Sequence, residues 1–330
     1  MKQLSVIGAG SWGTALSIVL APRFERVRLW AYEDGLAHEI ESEGENPLFL
    51  PGHRIPENVS ATDDLGDAAR GSDCILLVVP SKFLRGTLRA LLPHVSEDQV
   101  FVSATKGIET GSLLRMSEVL RQECSFAPRV AVLSGPTFAR EVAGGEPAAV
   151  VIASEDAGLA PSIQAAFSGP TFRLYTNDDT VGVEIGGSIK NVIAIAAGVI
   201  QGLGLGNNTL AALVTRGLAE ITRLAVAAGG QPRTLAKLTG LGDLVLTCTG
   251  ELSRNRRVGV ELARGRRLDE ILASTNMVAE GVDTTFAAVD LAARHDIEMP
   301  IAEQMLAILR EGKCARAGIR DLMDRTLKSE

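Results

Sequence analysis

Short apolar runs alternate with amphipathic segments through the first 175 residues. The runs predict strands at residues 4–7, 26–30, 74–79, 100–104, 130–133, 149–153 and 171–175. Residues 74–79 are apolar throughout, which is typical of a strand buried on both faces. Between the first two runs, residues 11–21 carry apolar side chains at helical spacing. This alternation predicts an α/β fold with a mostly parallel sheet covered by helices on both sides.

From about residue 187 onward, the apolar positions follow a helical period instead. Pro300 is well placed in the first turn of one such helix. Two apolar helical faces are predicted: Ile301, Met305, Ile308 and Leu309 in one helix, and Phe286, Val289 and Ala293 in another. The sequence therefore predicts two domains, an α/β domain over residues 1–187 and an all-helical domain over residues 188–330.

Composition and charge limit the classes of protein that fit this pattern. Hydrophobic residues make up 46% of the chain, which excludes a disordered protein and provides for a sizeable core. The formal net charge of -7, from 33 basic and 40 acidic side chains, argues against nucleic acid or an anionic membrane as a partner. A local basic pocket for a small anion is still compatible with that charge.

Cysteine, histidine and apolar spacing give no sign of disulfides, metals or membrane insertion. The cysteines are too far apart for a C-x-x-C pattern and predict reduced thiols in the cytoplasm: Cys74, Cys124, Cys248 and Cys314. The histidines are isolated, so no metal site is predicted: His38, His53, His94 and His295. The start of the chain lacks a signal-peptide pattern, and Gln201 and glycines interrupt the apolar stretch at residues 192–206.

A glycine motif follows the first predicted strand and opens the first predicted helix. Gly8, Gly10 and Gly13 form G-x-G-x-x-G, and Glu33 comes 20 residues after Gly13. In this context the glycines allow a tight turn, a close approach of pyrophosphate to the backbone, and close helix–strand packing. An acidic residue after the second strand would hold a ribose hydroxyl. The motif therefore predicts dinucleotide binding, although a glycine turn in another α/β fold is the alternative.

Four further positions combine charge with apolar surroundings. Lys190 heads an apolar predicted helix, Asp243 lies among apolar and hydroxyl residues, residues 253–257 form a basic cluster, and Lys106 follows a predicted strand. Three of these have a named structural alternative, and Lys106 at the carboxyl end of a strand could equally lack a functional role. Lys190 could be a snorkelling lysine at a helix end, Asp243 a helix N-cap, and the cluster a solvated surface patch. With a dinucleotide domain, these residues suggest hydride transfer on an anionic substrate.

The order and spacing of several motifs make the chain resemble the bacterial-type NAD(P)-dependent glycerol-3-phosphate dehydrogenases over essentially its full length. The first-half motifs are GAGSWGTA at residues 8–15, FLP at 49–51, VPS at 79–81, ATKGIE at 104–109 and SGPTFA at 134–139. The second-half motifs are KNV at residues 190–192, GLGDLVLTCT at 240–249, SRNR at 253–256 and EG at 280–281.

The resemblance implies a reaction and a fold. Dihydroxyacetone phosphate and sn-glycerol 3-phosphate would be interconverted with NAD or NADP, supplying glycerol phosphate for membrane phospholipid synthesis. A Rossmann-type NAD(P)-binding domain would precede a helical substrate and catalytic domain, as in 6-phosphogluconate-dehydrogenase-like enzymes. The expected partner is a small phosphorylated substrate, with a homodimer possible and no metal, nucleic acid or membrane insertion.

The resemblance also assigns roles by motif position. Lys190 is the expected proton acceptor. The expected substrate ligands are Lys106, Gly135, Thr137, Lys190, Asp243, Ser253, Arg254 and Asn255. The expected cofactor contacts are Gly8, Gly10, Ser11, Trp12, Gly13, Glu33, Lys106, Ala139, Arg254, Val278 and Glu280. The planar guanidinium of Arg254 suits a phosphate better than an ammonium does.

One stretch departs from the pattern of some relatives. They carry His or Arg at positions 32 and 33, which could meet a 2′-phosphate, whereas this chain has Tyr32 and Glu33. Glu33 would repel that phosphate, so the NADP contacts of those relatives do not carry over to this stretch. The choice between NAD and NADP stays open.

Two other functions compete with the dehydrogenase. A non-catalytic nucleotide sensor on the same scaffold would be favoured by loss of Lys106, Lys190 or Asp243, all of which are present. A dehydrogenase for a 2-hydroxy or 3-hydroxy acid would lack the cluster at residues 253–255.

Overall fold

An eight-stranded sheet organises the first part of the chain in the computed structural model, which describes residues 1–274 and 278–327. The chain divides into two units: a first unit of Met1–Lys106 and Leu114–Glu184, and a second unit of Gly107–Leu113 and Ile185–Glu330. The strands are β1 (Gln3–Ile7), β2 (Arg26–Trp30), β3 (Glu45–Asn46), β4 (Leu50–Arg54), β5 (Val59–Thr62), β6 (Cys74–Leu77), β7 (Val100–Ser103), β8 (Arg129–Ser134), β9 (Ala148–Ala153) and β10 (Phe172–Asn177).

The strand order is β5-β2-β1-β6-β7-β8-β9-β10, and β3 and β4 form a separate antiparallel pair. All neighbours in the large sheet are parallel except β8 and β9, which are antiparallel. The chain proceeds outward from β1 through β2 to β5 and then returns to β6 on the other side of β1. The crevice between β1 and β6 is therefore the topological switch point, where open α/β sheets bind ligands.

The helices are α1 (Ser11–Leu20), α2 (Leu36–Glu43), α3 (Leu65–Ala69), α4 (Ser81–Leu91), α5 (Met116–Glu123), α6 (Ala139–Ala143), α7 (Leu159–Phe167), α8 (Thr180–Gly202), α9 (Asn207–Ala227), α10 (Pro232–Leu235), α11 (Asp243–Thr249), α12 (Arg254–Ala263), α13 (Leu268–Ala273), α14 (Glu280–Arg294), α15 (Pro300–Glu311) and α16 (Ala315–Met323). Residues Ala21–Arg23 and Leu92–His94 form 3-10 turns, and Leu238–Gly242 forms a π-helical turn before α11.

Alternating side chains of the strands build two apolar layers. Val6 and Leu76 point to one layer, which includes side chains of α1, α6 and α7. Ile7 and Ile75 point to the other, which includes side chains of α3, α4 and α5. This period-2 alternation, with both faces apolar, is what a sheet covered by helices on both sides requires.

The predicted fold class is confirmed. All seven predicted strands are present, and within the described residues no strand follows Asn177. The sequence missed β5, because Val59–Thr62 is a short strand with exposed and half-buried positions, and missed the short strands β3 and β4. The predicted boundary between residues 187 and 188, which stays a prediction, falls inside α8, and the chain passes from the first unit to the second between Glu184 and Ile185.

The two predicted apolar faces of the helical part had different outcomes. Ile301, Met305, Ile308 and Leu309 are all buried on α15. The face predicted on α14 is wrong, because Phe286 and Val289 are only half-buried and Ala293 is exposed. The buried face of that helix instead carries smaller residues: Gly281, Val282, Thr284, Thr285, Ala287, Ala288, Leu291 and Ala292.

Helices α8 and α12 touch through their backbones. A Cβ atom on Gly198 of α8 would lie 1.8 Å from the carbonyl oxygen of Arg256. A Cβ atom on Gly259 of α12 would lie 1.9 Å from the carbonyl oxygen of Ile195. Only glycine tolerates these distances, so the two positions bring the helix axes unusually close.

Helix α8 is the one described helix that is long and apolar enough to cross a membrane. Its most apolar 18-residue window is entirely buried inside the protein, as in the core helix of a soluble fold.

Candidate functional site

The glycine loop between β1 and α1 has the geometry of a pyrophosphate cradle. Gly8 has a φ of 120°, and its N–H donates to the carbonyl oxygen of Trp30 over 3.1 Å. A Cβ atom on Gly13 would lie 1.8 Å from the carbonyl oxygen of Gly8, so α1 can approach the strand only with glycine there. A Cβ atom on Gly10 would meet no atom within 4 Å. Gly10 therefore faces open space at the end of β1.

The start of α1 suits an anion. Within the described residues, no side chain caps this helix at Gly10, so its N-terminal dipole faces the same open space. Ser11 is buried in the first turn, and Trp12 is half-buried. Ala139 is the first residue of α6, a helix that packs against α1. The loop and its surroundings fit the pyrophosphate of a dinucleotide.

Glu33 lies shortly after β2 and is half-buried, whereas the neighbouring Tyr32 is 77% exposed. The Tyr32 ring lies edge-on to Trp30, with 6.0 Å between the ring centroids. Both side chains follow the carboxyl end of a strand next to β1, the edge at which the ribose of a dinucleotide is expected.

The structure brings Lys106, Gly135 and Thr137 together in the first unit. Lys106 donates through Nζ to the carbonyl oxygen of Gly135 over 3.2 Å, and Thr137 donates through Oγ1 to the same oxygen over 3.2 Å. Gly135 has a φ of 147°, and a Cβ atom there would lie 3.0 Å from the Cα atom of Val150. These residues follow the neighbouring strands β7 and β8, which explains how residues 29 positions apart meet.

Lys190 and Asp243 form a buried ion pair in the second unit. The Nζ atom of Lys190 donates to Oδ1 of Asp243 and, over 2.9 Å, to Oγ1 of Thr247. Thr247 donates through Oγ1 to the carbonyl oxygen of Asp243 over 2.6 Å. Lys190 is 5% exposed and Asp243 is fully buried. One cation, one anion and one hydroxyl are thus held together in a place with little water.

Two sequence interpretations of this pair are wrong. Lys190 lies in the middle of α8 and not at its head, so it is not a snorkelling lysine at a helix end. Asp243 is the first residue of α11, whose N-cap is Gly242. A buried ion pair is weak evidence for stability, because desolvation of both charges offsets much of their attraction. A functional explanation for the pair is therefore favoured.

Cys248 is the neighbouring ionisable group on α11. Burial raises the pKa of its thiol to about 12, although the nearby positive charge of Lys190 acts in the opposite direction. The thiol is therefore protonated near neutral pH and is a poor proton acceptor there.

The start of α12 combines capping residues with exposed cations. Ser253 is buried and caps the helix, accepting a hydrogen bond from the N–H of Arg256 over 3.3 Å. Asn255 is buried, and its Oδ1 accepts from the N–H of Gly281 over 3.0 Å. The amide NH2 is therefore the end of Asn255 that can donate to a ligand. Arg254 and Arg257 both have exposed surface, but surrounding groups partly desolvate the guanidinium of Arg254, so the solvated-patch interpretation applies to Arg257.

The start of α14 lies against this cluster. A Cβ atom on Gly281 would lie 2.7 Å from the carbonyl oxygen of Asn191 and 2.8 Å from Oδ1 of Asn255. Desolvation by the surrounding protein lowers the pKa of Arg254, while the carboxylate of Glu280 opposes that shift. Val278 is half-buried just before this helix. Within the second unit, the structure thus joins α8, α12 and α14 around these residues.

Sequence reasoning missed two residues at these places. Thr247 bonds to both members of the ion pair, and its four-residue spacing from Asp243 on one helix was the available signal. Phe83 is 54% exposed near the start of α4, which follows β6 at the switch point. The Nζ atom of Lys82 lies 5.0 Å from the centroid of its ring. An exposed aromatic residue at that edge of a chain with 4% aromatic residues was the signal.

Over residues 1–274 and 278–327, no group of three or more His, Cys, Asp or Glu side chains could hold a metal ion.

Two family models match the chain. Residues 3–160 match the NAD-dependent glycerol-3-phosphate dehydrogenase N-terminus, and residues 179–320 match the corresponding C-terminus. A glycerol-3-phosphate dehydrogenase [NAD(P)+] from Koribacter versatilis is 56% identical, with 100% of this chain and 99% of the relative covered. One from Syntrophotalea carbinolica is 51% identical, with 99% of each chain covered.

Solved structures agree. The crystal structure of glycerol-3-phosphate dehydrogenase from Coxiella burnetii has a TM-score of 0.94 at 41% identity and covers 98% of this chain and 99% of that one. The yeast glycerol-3-phosphate dehydrogenase structure has a TM-score of 0.83 at 26% identity, with 98% and 99% covered. A ketopantoate reductase from Ralstonia eutropha, at 20% identity and a TM-score of 0.64, shares the fold. With both family models and close full-length relatives in agreement, the chain belongs to the NAD-dependent glycerol-3-phosphate dehydrogenase family.

Proposed function

We propose that this chain reduces dihydroxyacetone phosphate to sn-glycerol 3-phosphate, and catalyses the reverse reaction, with Lys190 as the proton carrier. The observation that carries the proposal is the buried group of Lys190, Asp243 and Thr247. A lysine ammonium held at a defined position by a carboxylate and a hydroxyl can donate a proton to a carbonyl oxygen as it becomes a hydroxyl.

When bound, the nicotinamide cofactor supplies or accepts the hydride at the substrate carbon. The chain's own task is to orient the substrate and to move the proton. In the reducing direction, Lys190 polarises the carbonyl oxygen and donates its proton there. In the oxidising direction, the neutral amine accepts the hydroxyl proton. Asp243 and Thr247 each accept a hydrogen bond from Nζ of Lys190, and Thr247 also bonds to Asp243. Together they orient Nζ in both directions of the reaction.

Residues 1–187 are proposed as the NAD(P)-binding domain. The open space beside Gly10 and the close packing at Gly13 support a pyrophosphate over the loop, with Gly8, Ser11, Trp12 and Ala139 beside it. Lys106, joined to Gly135 and Thr137, is proposed to contact both cofactor and substrate. Glu33 is proposed to hold a ribose hydroxyl.

Residues 188–330 are proposed as the helical substrate and catalytic domain. Arg254 is proposed as the main ligand of the substrate phosphate, because its exposed guanidinium offers several donors in one plane. The NH2 group of Asn255, whose Oδ1 is already bonded to Gly281, is proposed as a neutral donor. Ser253 contributes by capping the helix that carries both. Val278 and Glu280 are proposed to contact the cofactor, as is Arg254.

We further propose that the enzyme works in the cytoplasm, supplies glycerol phosphate for membrane phospholipid synthesis, and can form a homodimer.

The proposed reaction is tested by following the oxidation of NADH and of NADPH by absorbance, with dihydroxyacetone phosphate as the substrate. Dihydroxyacetone is the matched control because it lacks only the phosphate. Equal rates with the two substrates, or no oxidation with either, would contradict the proposal.

A further inference from the structure

We infer that this chain binds NADH in preference to NADPH, because carboxylates at the ends of β2 and β5 exclude a phosphate from the adenosine ribose. The inference rests on the proposed function, since it requires a dinucleotide over the loop at Gly8–Gly13. The two coenzymes differ only in the 2′-phosphate of that ribose, so the residues that face it decide the choice.

The ends of β2 and β5 lie side by side at the carboxyl edge of the sheet. The N–H of Ala31 donates to the carbonyl oxygen of Thr62 over 2.9 Å. The indole Nε1 of Trp30 donates to the carbonyl oxygen of Asp63 over 2.9 Å. Glu33 and Asp34 follow the first of these strands and Asp63 follows the second. All three residues therefore follow the carboxyl ends of two neighbouring strands, a place that we call the acidic corner (Glu33, Asp34 and Asp63).

The acidic corner distinguishes a hydroxyl from a phosphate. A carboxylate can accept a hydrogen bond from a ribose 2′-hydroxyl, because the hydroxyl has a proton to donate. A phosphate dianion at the same carbon has no such proton near neutral pH and is repelled by each negative charge. Glu33 is half-buried, so water screens its charge less than it screens a fully exposed carboxylate.

The arginines of β2 do not reverse this charge. Arg28 donates through one guanidinium nitrogen to the carbonyl oxygens of Asp67, over 2.9 Å, and Arg70, over 2.6 Å. These carbonyls belong to the C-terminal end of α3, so the guanidinium is held there. Arg26 begins β2 and lies about 13 Å from the last residue of the strand, at about 3.3 Å per residue.

Two other basic side chains follow or flank α3, and both interact with a different carboxylate, that of Asp64. Arg70 and His94 act on Asp64, which caps α3 and accepts a hydrogen bond from the N–H of Asp67 over 2.8 Å. The positive charge of Arg70 is therefore offset in part by a fourth carboxylate and does not reverse the sign of the acidic corner.

The test measures dissociation constants by isothermal titration calorimetry, with NADH and NADPH as the titrants and no substrate present. In the wild-type protein we expect the Kd for NADPH to exceed that for NADH by at least tenfold, which corresponds to about 1.4 kcal/mol. Glu33→Gln should narrow the ratio, because the amide removes the charge and keeps a hydrogen-bonding group. Glu33→Arg should invert it.

Two matched variants control for general effects of charge. Glu25→Gln removes the same charge at the opposite end of β2, where Glu25 pairs with Lys2, and should leave the ratio unchanged. Arg28→Met should also leave the ratio unchanged, because the guanidinium is held at α3. A wild-type ratio near one, a preference for NADPH, or an unchanged ratio in Glu33→Gln would overturn the inference. If neither coenzyme binds, the proposed cofactor site itself is wrong.

Discussion

Asp243 and Lys190 meet as opposite charges in a part of the second unit where their side chains are 0% and 6% exposed. Neither charge can be removed alone without leaving the other buried, so each substitution has a catalytic and a structural effect. The first two predictions separate those effects.

Lys190→Met is expected to lower kcat by about 100- to 10,000-fold, the usual loss when a positioned general acid or base is removed. Methionine keeps an apolar stem and lacks the proton. The Kd for NADH should change little, because the glycine loop lies in the other unit. Steady-state kinetics with dihydroxyacetone phosphate and calorimetry with NADH provide the two readouts. A fall in kcat of less than about tenfold would remove Lys190 from the proton step and make Lys106 the next candidate.

The same substitution is expected to destabilise the protein by about 3–5 kcal/mol, because Asp243 would be left as an unpaired buried charge. Asp243→Asn in the Lys190→Met background should recover part of that stability and none of the activity. Thermal unfolding midpoints of the wild type, both single variants and the double variant form the cycle. Additive effects on the midpoint would show that the two side chains do not interact energetically.

Arg254→Ala is expected to reduce kcat/KM for dihydroxyacetone phosphate by an amount equal to about 1.5–3 kcal/mol, the usual strength of a charge-assisted hydrogen bond. The loss with dihydroxyacetone should be much smaller, because that substrate has no phosphate. Arg257→Ala is the matched control, since Arg257 is another exposed arginine in the first turn of α12. Similar kinetics for Arg254→Ala and the wild type would refute the phosphate role.

Gly10→Ala should impair NADH binding, whereas Gly13→Ala should impair the stability of the protein. The first adds a methyl group to open space and should leave the unfolding midpoint unchanged while weakening NADH binding. The second places a methyl carbon 1.8 Å from the carbonyl oxygen of Gly8 and should lower the midpoint sharply. Differential scanning calorimetry and NADH titration distinguish the two outcomes. Unchanged NADH affinity in Gly10→Ala would argue against pyrophosphate at this loop.

Glu220 predicts a pH-dependent contribution to stability in the second unit. It is buried on α9 and accepts a hydrogen bond from the N–H of Ile301, over 2.9 Å, at the start of α15. Burial raises the pKa of its carboxyl to about 7, while the hydrogen bond opposes that shift. The folded state therefore binds the carboxyl proton more tightly than the unfolded state does. The stability that this proton contributes to the folded state is fully present below pH ~4.5 and is lost as pH rises to about 7.

The free energy of unfolding of Glu220→Gln, taken relative to the wild type, should therefore be higher at pH 8 than at pH 5 by about 1–3 kcal/mol. Unfolding midpoints across this pH range measure the difference. Glu311→Gln is the control, because Glu311 is exposed at the opposite end of the helix that Glu220 caps. A constant difference between wild type and Glu220→Gln across the range would contradict the raised pKa.

Local pattern explains why the α/β part was predictable. Residues 74–77 form a buried strand as their apolar run predicts, and the glycine loop follows a strand and opens a helix. Both features depend only on neighbours in sequence. By contrast, the short strand β5 is stabilised by pairing with β2, which lies some 30 residues earlier in the chain.

The surroundings of the charged residues were not predictable in the same way. The sequence predicted that Lys190 heads its helix, although α8 begins at Thr180 and runs through Gly186 and Gly187. Glycine is tolerated there because the helix is buried: a Cβ atom on Gly186 would lie 2.9 Å from Cδ1 of Leu235. The pairing of Lys190 with Asp243 joins residues 53 positions apart, and no local pattern encodes such a contact.

The backbone contact of Gly198 with α12 also limits how this enzyme can be redesigned for other phosphorylated ketones. The helix of Lys190 and the helix of Asn255 are already in backbone contact at Gly198 and Gly259, so they cannot move closer there to fit a smaller compound. Any side chain introduced at Gly198 or Gly259 would force them apart as whole bodies. On the proposed function, substrate length is therefore altered by exchanging side chains at the start of α12, such as Asn255, while the two glycines are kept.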